Sequence, residues 1–308
     1  MTTAYVATRG GHISELLTLA DRIGGDDELW ITSDHPQTRD LLDGRHAVFV
    51  PPVGERDLAG VLRTIPIAIR LLTAHRVTRV ISTGSALALG YLPVAAARGL
   101  DVHYIESSTR VHSCSVTGRL LCRIPSIQCW WQYPEPPPRF RYAGGVYDEF
   151  VPSLNPQPSD LQRIVVTVGT THWDFRRLIA RLVNIVPAGA EVLWQTGRTD
   201  VSGLDIDANE VVPESVLVDA IEQADVVISH AGAGSLALAL QAGKIPVFVP
   251  RRVGHGEQID DHQVELARWA DQNSLAVTVE ADQIQRHHLA DAAGRRARRT
   301  PVEDLVLR

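Results

Sequence analysis

Ser229-His230-Ala231-Gly232-Ala233-Gly234-Ser235 stands between two segments of opposite character. Before it, Ala224-Asp-Val-Val-Ile228 is a short apolar run that predicts a strand. After it, Leu236-Ala-Leu-Ala-Leu-Gln-Ala242 is built of strong helix formers, and Gly243 offers a C-cap. A glycine-rich turn from strand to helix presents backbone N–H groups and the positive end of a helix dipole, which suits a phosphate or diphosphate. Glycine serves there because a side chain would hold the anion away. The plainer reading is a tight turn that binds nothing. The order strand, glycines, helix favours the anion site.

The chain opens on the same device. Thr3-Ala-Tyr-Val-Ala-Thr8 predicts a strand, Arg9-Gly-Gly-His12 follows, and Ile13, Leu16, Leu17, Ala20 and Ile23 then mark one face of a helix. His12 falls in the first turn, where the dipole favours neutral imidazole, a form able to act as a base. Capping of the turn is the alternative role for His12.

Between these ends strand and helix patterns alternate. Strands are predicted at Glu28–Thr32, Ala47–Val50, Arg79–Ser82 and Asp101–Ile105, with helices from Leu58 to about Arg76 and from Ala86 to Arg98. Such alternation argues for a parallel sheet covered on both faces. Ligands of these sheets bind outside the carboxyl ends of the strands. Gly10, Gly11, His12, Gly84 and Glu106 all fall there. The Leu58 helix carries Arg63 and Arg70 on one face with Arg56 at its leading edge. It reads equally as a helix lying on anionic lipid and as a packed helix with a solvated edge. Asp148 to Asp160, with Pro152, Pro156 and Pro158, has the composition of a linker. The expected division is residues 1–147, a linker at 148–160, a second domain at 161–285 and a tail at 286–308. Arg295, Arg296, Arg298 and Arg299 make that tail a solvated basic segment.

The second half restarts with Arg163–Val168, Gly169-Thr-Thr171 and a helix from about Trp173 to Val186. Glu191–Thr196 is the next strand, ending on Gly197. Pro246–Pro250 is another, and Asp260 caps a helix that opens after a polar loop.

Composition narrows the function classes. The chain has 308 residues, 44% apolar and 21% charged, which is a globular protein of two domains. A net charge of −6 argues against nucleic acid as a partner. Cys114, Cys122 and Cys129 form no CxxC pair and are odd in number, so they are expected as thiols in a reducing compartment, with no disulfide and no zinc site. No secretory leader and no run of about 18 apolar residues occurs, so a cytosolic protein is expected, at most lying on the inner face of a membrane.

Several motifs in order carry a resemblance. Residues 3 to about 147 contain Gly10-Gly-His12, Ile81-Ser-Thr-Gly84, Tyr104-Ile-Glu-Ser107, Arg110-Val, Ser115-Val-Thr-Gly118 and Gln132-Tyr-Pro. These resemble the acceptor subunit of the two-subunit N-acetylglucosaminyltransferase acting on dolichol diphosphate. They also resemble its counterpart in bacterial exopolysaccharide synthesis. Residues 163 to about 280 contain Val168-Gly-Thr-Thr171, Ser229–Ser235, Ala242-Gly-Lys244, Pro250-Arg-Arg252 and Asp261-His-Gln263. These resemble the donor subunit, family 28-like. The resemblance implies an α/β protein of the GT-B fold, two Rossmann-like domains with parallel sheets facing a cleft.

It further implies an inverting glycosyltransferase. A UDP-sugar, UDP-GlcNAc or UDP-glucuronate, is the co-substrate, and no metal or other cofactor is needed. A polyprenyl-diphosphate-linked saccharide accepts the sugar. His12 is the first candidate base and Glu106 the second. Donor contacts are expected from Gly169, Thr170, Gln195, Gly197, His230, Gly232, Ala233, Gly234, Ser235, Arg251, Arg252, Asp261, His262 and Gln263. The two arginines are assigned to the diphosphate first and to a uronate carboxylate second, and Gln263 to the hexose. Acceptor contacts are expected from Gly10, Gly11, Gly84, Ser107 and Arg110. A homo-oligomer is left open.

Two features depart from the resembling enzymes. The helix after the glycine turn has Leu238 or Ala239 where they carry a ribose-binding glutamate, and the membrane span of the eukaryotic acceptor subunit is missing. Two rivals remain. Gly232-x-Gly234-x-x-Ala237 imitates a dinucleotide fingerprint, and Arg251 could hold an NADP phosphate. A glycosyltransferase fold that only binds is the other.

Overall fold

The computed structural model describes residues 1–25, 27–54, 57–156 and 160–307. Arg56 and Pro158 of the expectations above lie outside these residues, as does Arg308 at the end of the tail. The chain divides into two units, residues 1–146 with 303–308, and residues 147–302.

In the first unit each apolar run becomes a strand buried on both faces, and each helix lays its apolar side over the sheet. The order is β1 (Thr2–Val6), α1 (Gly11–Ile23), β2 (Asp27–Ser33), α2 (Pro36–Leu41), β3 (Ala47–Val50), α3 (Leu58–Ala74), β4 (Val77–Ser82), α4 (Ser85–Ala97), β5 (Asp101–Ile105), α5 (Val116–Leu121), β6 (Gln128–Trp131) and β7 (Arg141–Tyr142). All pairs are parallel, in the order β3-β2-β1-β4-β5-β6-β7. The order reverses between β1 and β4, so the loops that follow these two strands diverge and leave a crevice at their carboxyl ends.

The second unit repeats the plan. It contains β8 (Phe150–Leu154), β9 (Arg163–Thr167), α6 (Arg176–Ile185), β10 (Glu191–Gln195), β11 (Ala208–Asn209), α7 (Glu214–Gln223), β12 (Val226–His230), α8 (Ala233–Gln241), β13 (Val247–Val249), α9 (His262–Gln272), β14 (Val277–Thr278), α10 (Arg286–Ala293) and β15 (Arg295–Arg299). The parallel sheet runs β11-β10-β9-β12-β13-β14 and reverses between β9 and β12.

Three expectations are corrected by the fold. The segment expected as a linker contains β8, which pairs antiparallel with β15 from the segment expected as a solvated tail. A ladder needs only backbone groups, so an arginine-rich segment can form it: Arg296, Arg298 and Arg299 are exposed, Arg295 is half-buried, and Ala297 is 7% exposed. Arg299 then meets Glu149 in a forked ion pair at 2.8 to 3.1 Å. Beyond β15, Leu305 and Leu307 are buried and the Leu305 N–H donates to the Arg22 carbonyl, which ties the end of the chain to the first unit. Cys122 and Cys129, expected as reduced thiols, are joined as a disulfide. Turns at the end of α5 fold the chain back and bring their Cα atoms to 5.9 Å. Cys114 is a thiol, half-buried.

Candidate functional site

In the first unit the switch between β1 and β4 collects the residues of two loops. Gly10 caps α1, and His12 stands in the first turn, half-buried. The Thr83 hydroxyl donates to the His12 carbonyl at 2.9 Å, joining the two loops. The imidazole reaches Gly84, where an added Cβ would lie 3.7 Å from its Cε1. Gly10, Gly11, His12 and Gly84 therefore come together as expected from their places at strand ends.

Glu106 lies one strand farther along, just past β5, and is 1% exposed. Its carboxylate accepts from the Tyr104 hydroxyl at 2.8 Å, the Ser107 N–H at 3.3 Å, and the Ser115 N–H and hydroxyl at 3.0 and 3.1 Å. Burial pushes its pKa up, while these donors and the Arg110 charge act the other way. A carboxylate enclosed by four donors holds the loop between Ser107 and the start of α5 in shape. That is a positioning role, additional to the base role expected for it, on which these contacts do not bear.

Glu15 has no counterpart among the expected site residues. It sits on α1 one turn after His12, 1% exposed. It accepts from the Ser108 N–H at 2.5 Å, the Ser107 hydroxyl at 3.0 Å and the Gln132 side-chain amide. Burial pushes its pKa up to about 7. In sequence it is one of two acids, with Asp21, within an amphipathic helix, where a solvated residue is the normal reading. Only its spacing of three from His12 put it on the same helix side.

In the second unit the switch between β9 and β12 is built around His230. This side chain is 8% exposed and packed between two glycine turns. A Cβ on Gly232 would lie 2.4 Å from its Nε2, and one on Gly169 would lie 2.7 Å from its Cε1. Both positions therefore exclude any side chain, and Gly169 also takes a positive φ of 76°. Here glycine makes room for the imidazole, whereas the sequence suggested room for an anion. Burial, with the Arg251 charge next, lowers the His230 pKa to about 3, so the ring is neutral at ordinary pH. Ser235 Oγ lies 3.4 Å from its Nδ1.

Helix α8 starts directly behind, with Gly232 at the N-cap and no side chain capping it. Ala233, Gly234 and Ser235 thus form its first turn. Thr170 is half-buried in the loop after β9. In the same loop the Thr171 hydroxyl and the Trp173 indole N–H are buried with no hydrogen-bond partner among the described residues. Neither was singled out as a site residue. Buried donors without partners are costly, and they suit a ligand rich in acceptor oxygens.

Other expected donor contacts are engaged within the protein. Arg251 is 1% exposed and donates to the carbonyls of Val168, Trp173 and Asp174 at 2.8 to 2.9 Å, with its guanidinium over the Phe175 ring. It ties the loop after β9 to β13 and presents no diphosphate clamp. Arg252 pairs with Glu280, and its N–H donates to Glu257 at 3.0 Å. Gln263 is 2% exposed, and its Oε1 accepts from the Arg251 N–H at 3.0 Å. Asp261, not Asp260, occupies the N-cap of α9, while Asp260 accepts from the backbone N–H of His262 and contacts its ring. Gln195 bridges Thr167 at 2.9 Å and the Val212 N–H at 3.1 Å. Gly197 lines an open cavity of about 500 Å³ beyond β10, with Thr196, Thr199, Ala208 and Glu210. Among the described residues no cluster of three or more His, Cys, Asp or Glu side chains is placed to hold a metal ion.

The whole architecture has solved counterparts. MurG from Acinetobacter baumannii is 20% identical with a TM-score of 0.57, over 94% of this chain and 89% of that one. The glycosyltransferase SnogD from Streptomyces nogalater is 21% identical with a TM-score of 0.59, over 95% and 91%. The fold they share with this chain is GT-B. Residues 163–292 match the glycosyltransferase family 28 C-terminal domain. The mouse UDP-N-acetylglucosamine transferase subunit ALG13 is 36% identical over 123 residues, 35% of this chain. That alignment spans 10% of the mouse protein.

Proposed function

We propose that this protein moves a sugar from a UDP-sugar to a polyprenyl-diphosphate-linked saccharide, with inversion and without a metal. The observation that carries the reading is the switch point of the second unit. There a family 28 domain has an uncapped helix start after β12, and the loop after β9 holds buried donors at Thr171 and Trp173 with no partner among the described residues. Helix N-termini and fixed donors stabilise a departing diphosphate without a cation. Arg251, whose guanidinium donates to backbone carbonyls, supplies positive potential, whereas the charge of Arg252 is offset by Glu280 and both guanidiniums already have partners. For the same reason neither is offered to a uronate carboxylate, which makes UDP-GlcNAc the first donor to test and UDP-glucuronate the second. Similarity to a mouse UDP-N-acetylglucosamine transferase subunit supports that order.

His12 is the base that takes the proton of the acceptor oxygen, and Gly10, Gly11, Gly84, Ser107 and Arg110 frame the acceptor. The acceptor's lipid chain calls for a membrane surface. Helix α3 offers one, with Leu58, Leu62 and Ile69 exposed by 72%, 57% and 47% next to exposed Arg63 and Arg70. Among the described residues no helix is long and apolar enough to cross a membrane.

The test is release of UDP from UDP-GlcNAc or UDP-glucuronate, with and without a short-chain polyprenyl-diphosphate monosaccharide, in the presence of a chelator. Acceptor-dependent release is expected. Release that is independent of acceptor, a strict magnesium requirement, or NADPH binding by fluorescence would overturn the reading.

A further inference from the structure

Two buried carboxylates meet on one loop of the first unit. Glu106 takes the Ser107 N–H, and Glu15 takes the Ser107 hydroxyl and the next N–H, that of Ser108. Glu15 belongs to α1, the helix that begins at Gly11 and His12, and so it is the link between that helix and the loop after β5. A third element joins through Gln132, just past β6. Its amide N–H₂ donates both to Glu15 and to the Glu106 carbonyl at 2.8 Å, and its Oε1 accepts from the Val146 N–H at 3.0 Å. Tyr133 adds a bond from its hydroxyl to the Ser108 carbonyl. The named donors to Glu15 are all neutral dipoles, so geometry alone orders this junction. Removing the carboxylate leaves the Ser108 N–H and one Gln132 N–H unmatched, the expensive kind of loss.

We propose that Glu15 is a positioning residue for the acceptor side of the site: through Ser107, Ser108 and Gln132 it fixes the loop at 107–110 against the helix that carries His12. The inference rests on the glycosyl-transfer reading only for its effect on turnover, because the loop order it asserts can be measured without substrate. Glu15 acts through hydrogen-bond acceptance, its carboxylate being enclosed and 1% exposed. The chemistry needed is an acceptor of the right length facing Ser108 and Gln132. Glutamine supplies that acceptor and alanine does not. Ser107 can adapt to the amide of a glutamine, since its hydroxyl also lies 3.2 Å from Thr109 Oγ1 and can turn to donate there.

The experiment compares the full-length protein with Glu15→Ala, Glu15→Gln and Ser107→Ala by amide hydrogen exchange. Exchange is followed at residues 106–111, at α5 and at β9 of the second unit. In Glu15→Ala protection of residues 106–111 is expected to fall about tenfold, the worth of one buried hydrogen bond, with β9 unchanged. Glu15→Gln is expected to restore it, and Ser107→Ala to lose part of it. In the UDP-release assay Glu15→Ala is expected to raise the KM for the lipid-linked acceptor with the UDP-sugar KM unchanged, and Glu15→Gln to rescue it. Wild-type protection of the loop in Glu15→Ala would overturn the proposal. So would loss in Glu15→Gln equal to that in Glu15→Ala, which would assign the role to charge. If Glu15→Ala does not fold, the glutamine and Ser107 variants decide it by the same readout. Loss of loop order without measurable transfer would sustain the positioning role and count against the transfer reading alone.

Discussion

The backbone N–H of Arg251 donates to Oε1 of Gln263, twelve residues farther on, at 3.0 Å. This bond joins the end of β13 to the first turn of α9, and it occupies the side-chain oxygen that the sequence suggested would read the donor hexose. Gln263→Ala is therefore expected to cost about 1 to 3 kcal/mol of stability by stranding a buried N–H. Gln263→Glu, which keeps an oxygen there, is expected to cost less. Urea unfolding monitored in the second unit checks this; an alanine variant as stable as wild type would refute it.

The two adjacent arginines are expected to differ sharply. Arg251→Met leaves three buried carbonyls without their donor and is expected to destabilise by about 3 kcal/mol or more. Arg252→Ala removes a half-exposed pair with Glu280 and is expected to cost under about 1 kcal/mol. Denaturant midpoints of the two variants, measured without nucleotide, make the comparison.

His12→Ala is expected to lower turnover by about 10²- to 10⁴-fold, the range for loss of a general base. UDP affinity is expected to stay unchanged, since His12 lies on the first unit and the site proposed for the nucleotide on the second. Calorimetric UDP binding alongside initial rates separates the two effects, and unimpaired turnover would remove His12 from the mechanism.

Two buried groups pull stability in opposite directions with pH. The His230 pKa is lowered from 6.5 to about 3, so between those values the unfolded chain binds the extra proton. Its contribution is full above pH 6.5 and is lost as pH falls toward 3, by at most about 1.4 kcal/mol per unit. The Glu15 pKa is raised from 4.5 to about 7, so there the folded chain holds the extra proton. Its contribution is full below pH 4.5 and is lost as pH rises through 7. Melting curves from pH 4 to 8 are expected to show a flattened acid slope in His230→Gln. Glu15→Gln is expected to match or exceed wild type at pH 8, with the gap closing toward pH 5.

Sedimentation with phosphatidylglycerol vesicles tests the face on α3. Binding that weakens with salt is expected, as are losses in Leu62→Glu and in the double change Arg63→Glu with Arg70→Glu. Equal binding to neutral vesicles would exclude the basic stripe as the contact.

The repeated order of apolar run, glycines and helix was enough to predict two α/β units with parallel sheets. A strand buried on both faces leaves a continuous apolar signature, and a sharp strand-to-helix turn leaves glycine. Thus Gly10 to His12, Gly84, Gly169 and Ser229 to Ser235 were placed at carboxyl ends from the chain alone. What those residues touch was decided in three dimensions. Glycine at 169 and 232 accommodates the His230 ring, and the guanidinium of Arg251 is consumed by carbonyls from a loop some eighty residues earlier. Glu15 carries no signal in the sequence; β5 and β6 bring Ser107, Ser108 and Gln132 against it. The arginine-rich end became a strand only because β8 offered it an antiparallel edge. Local pattern records burial and backbone geometry. The partner of a polar group comes from a distant part of the chain, and no local signal carries it.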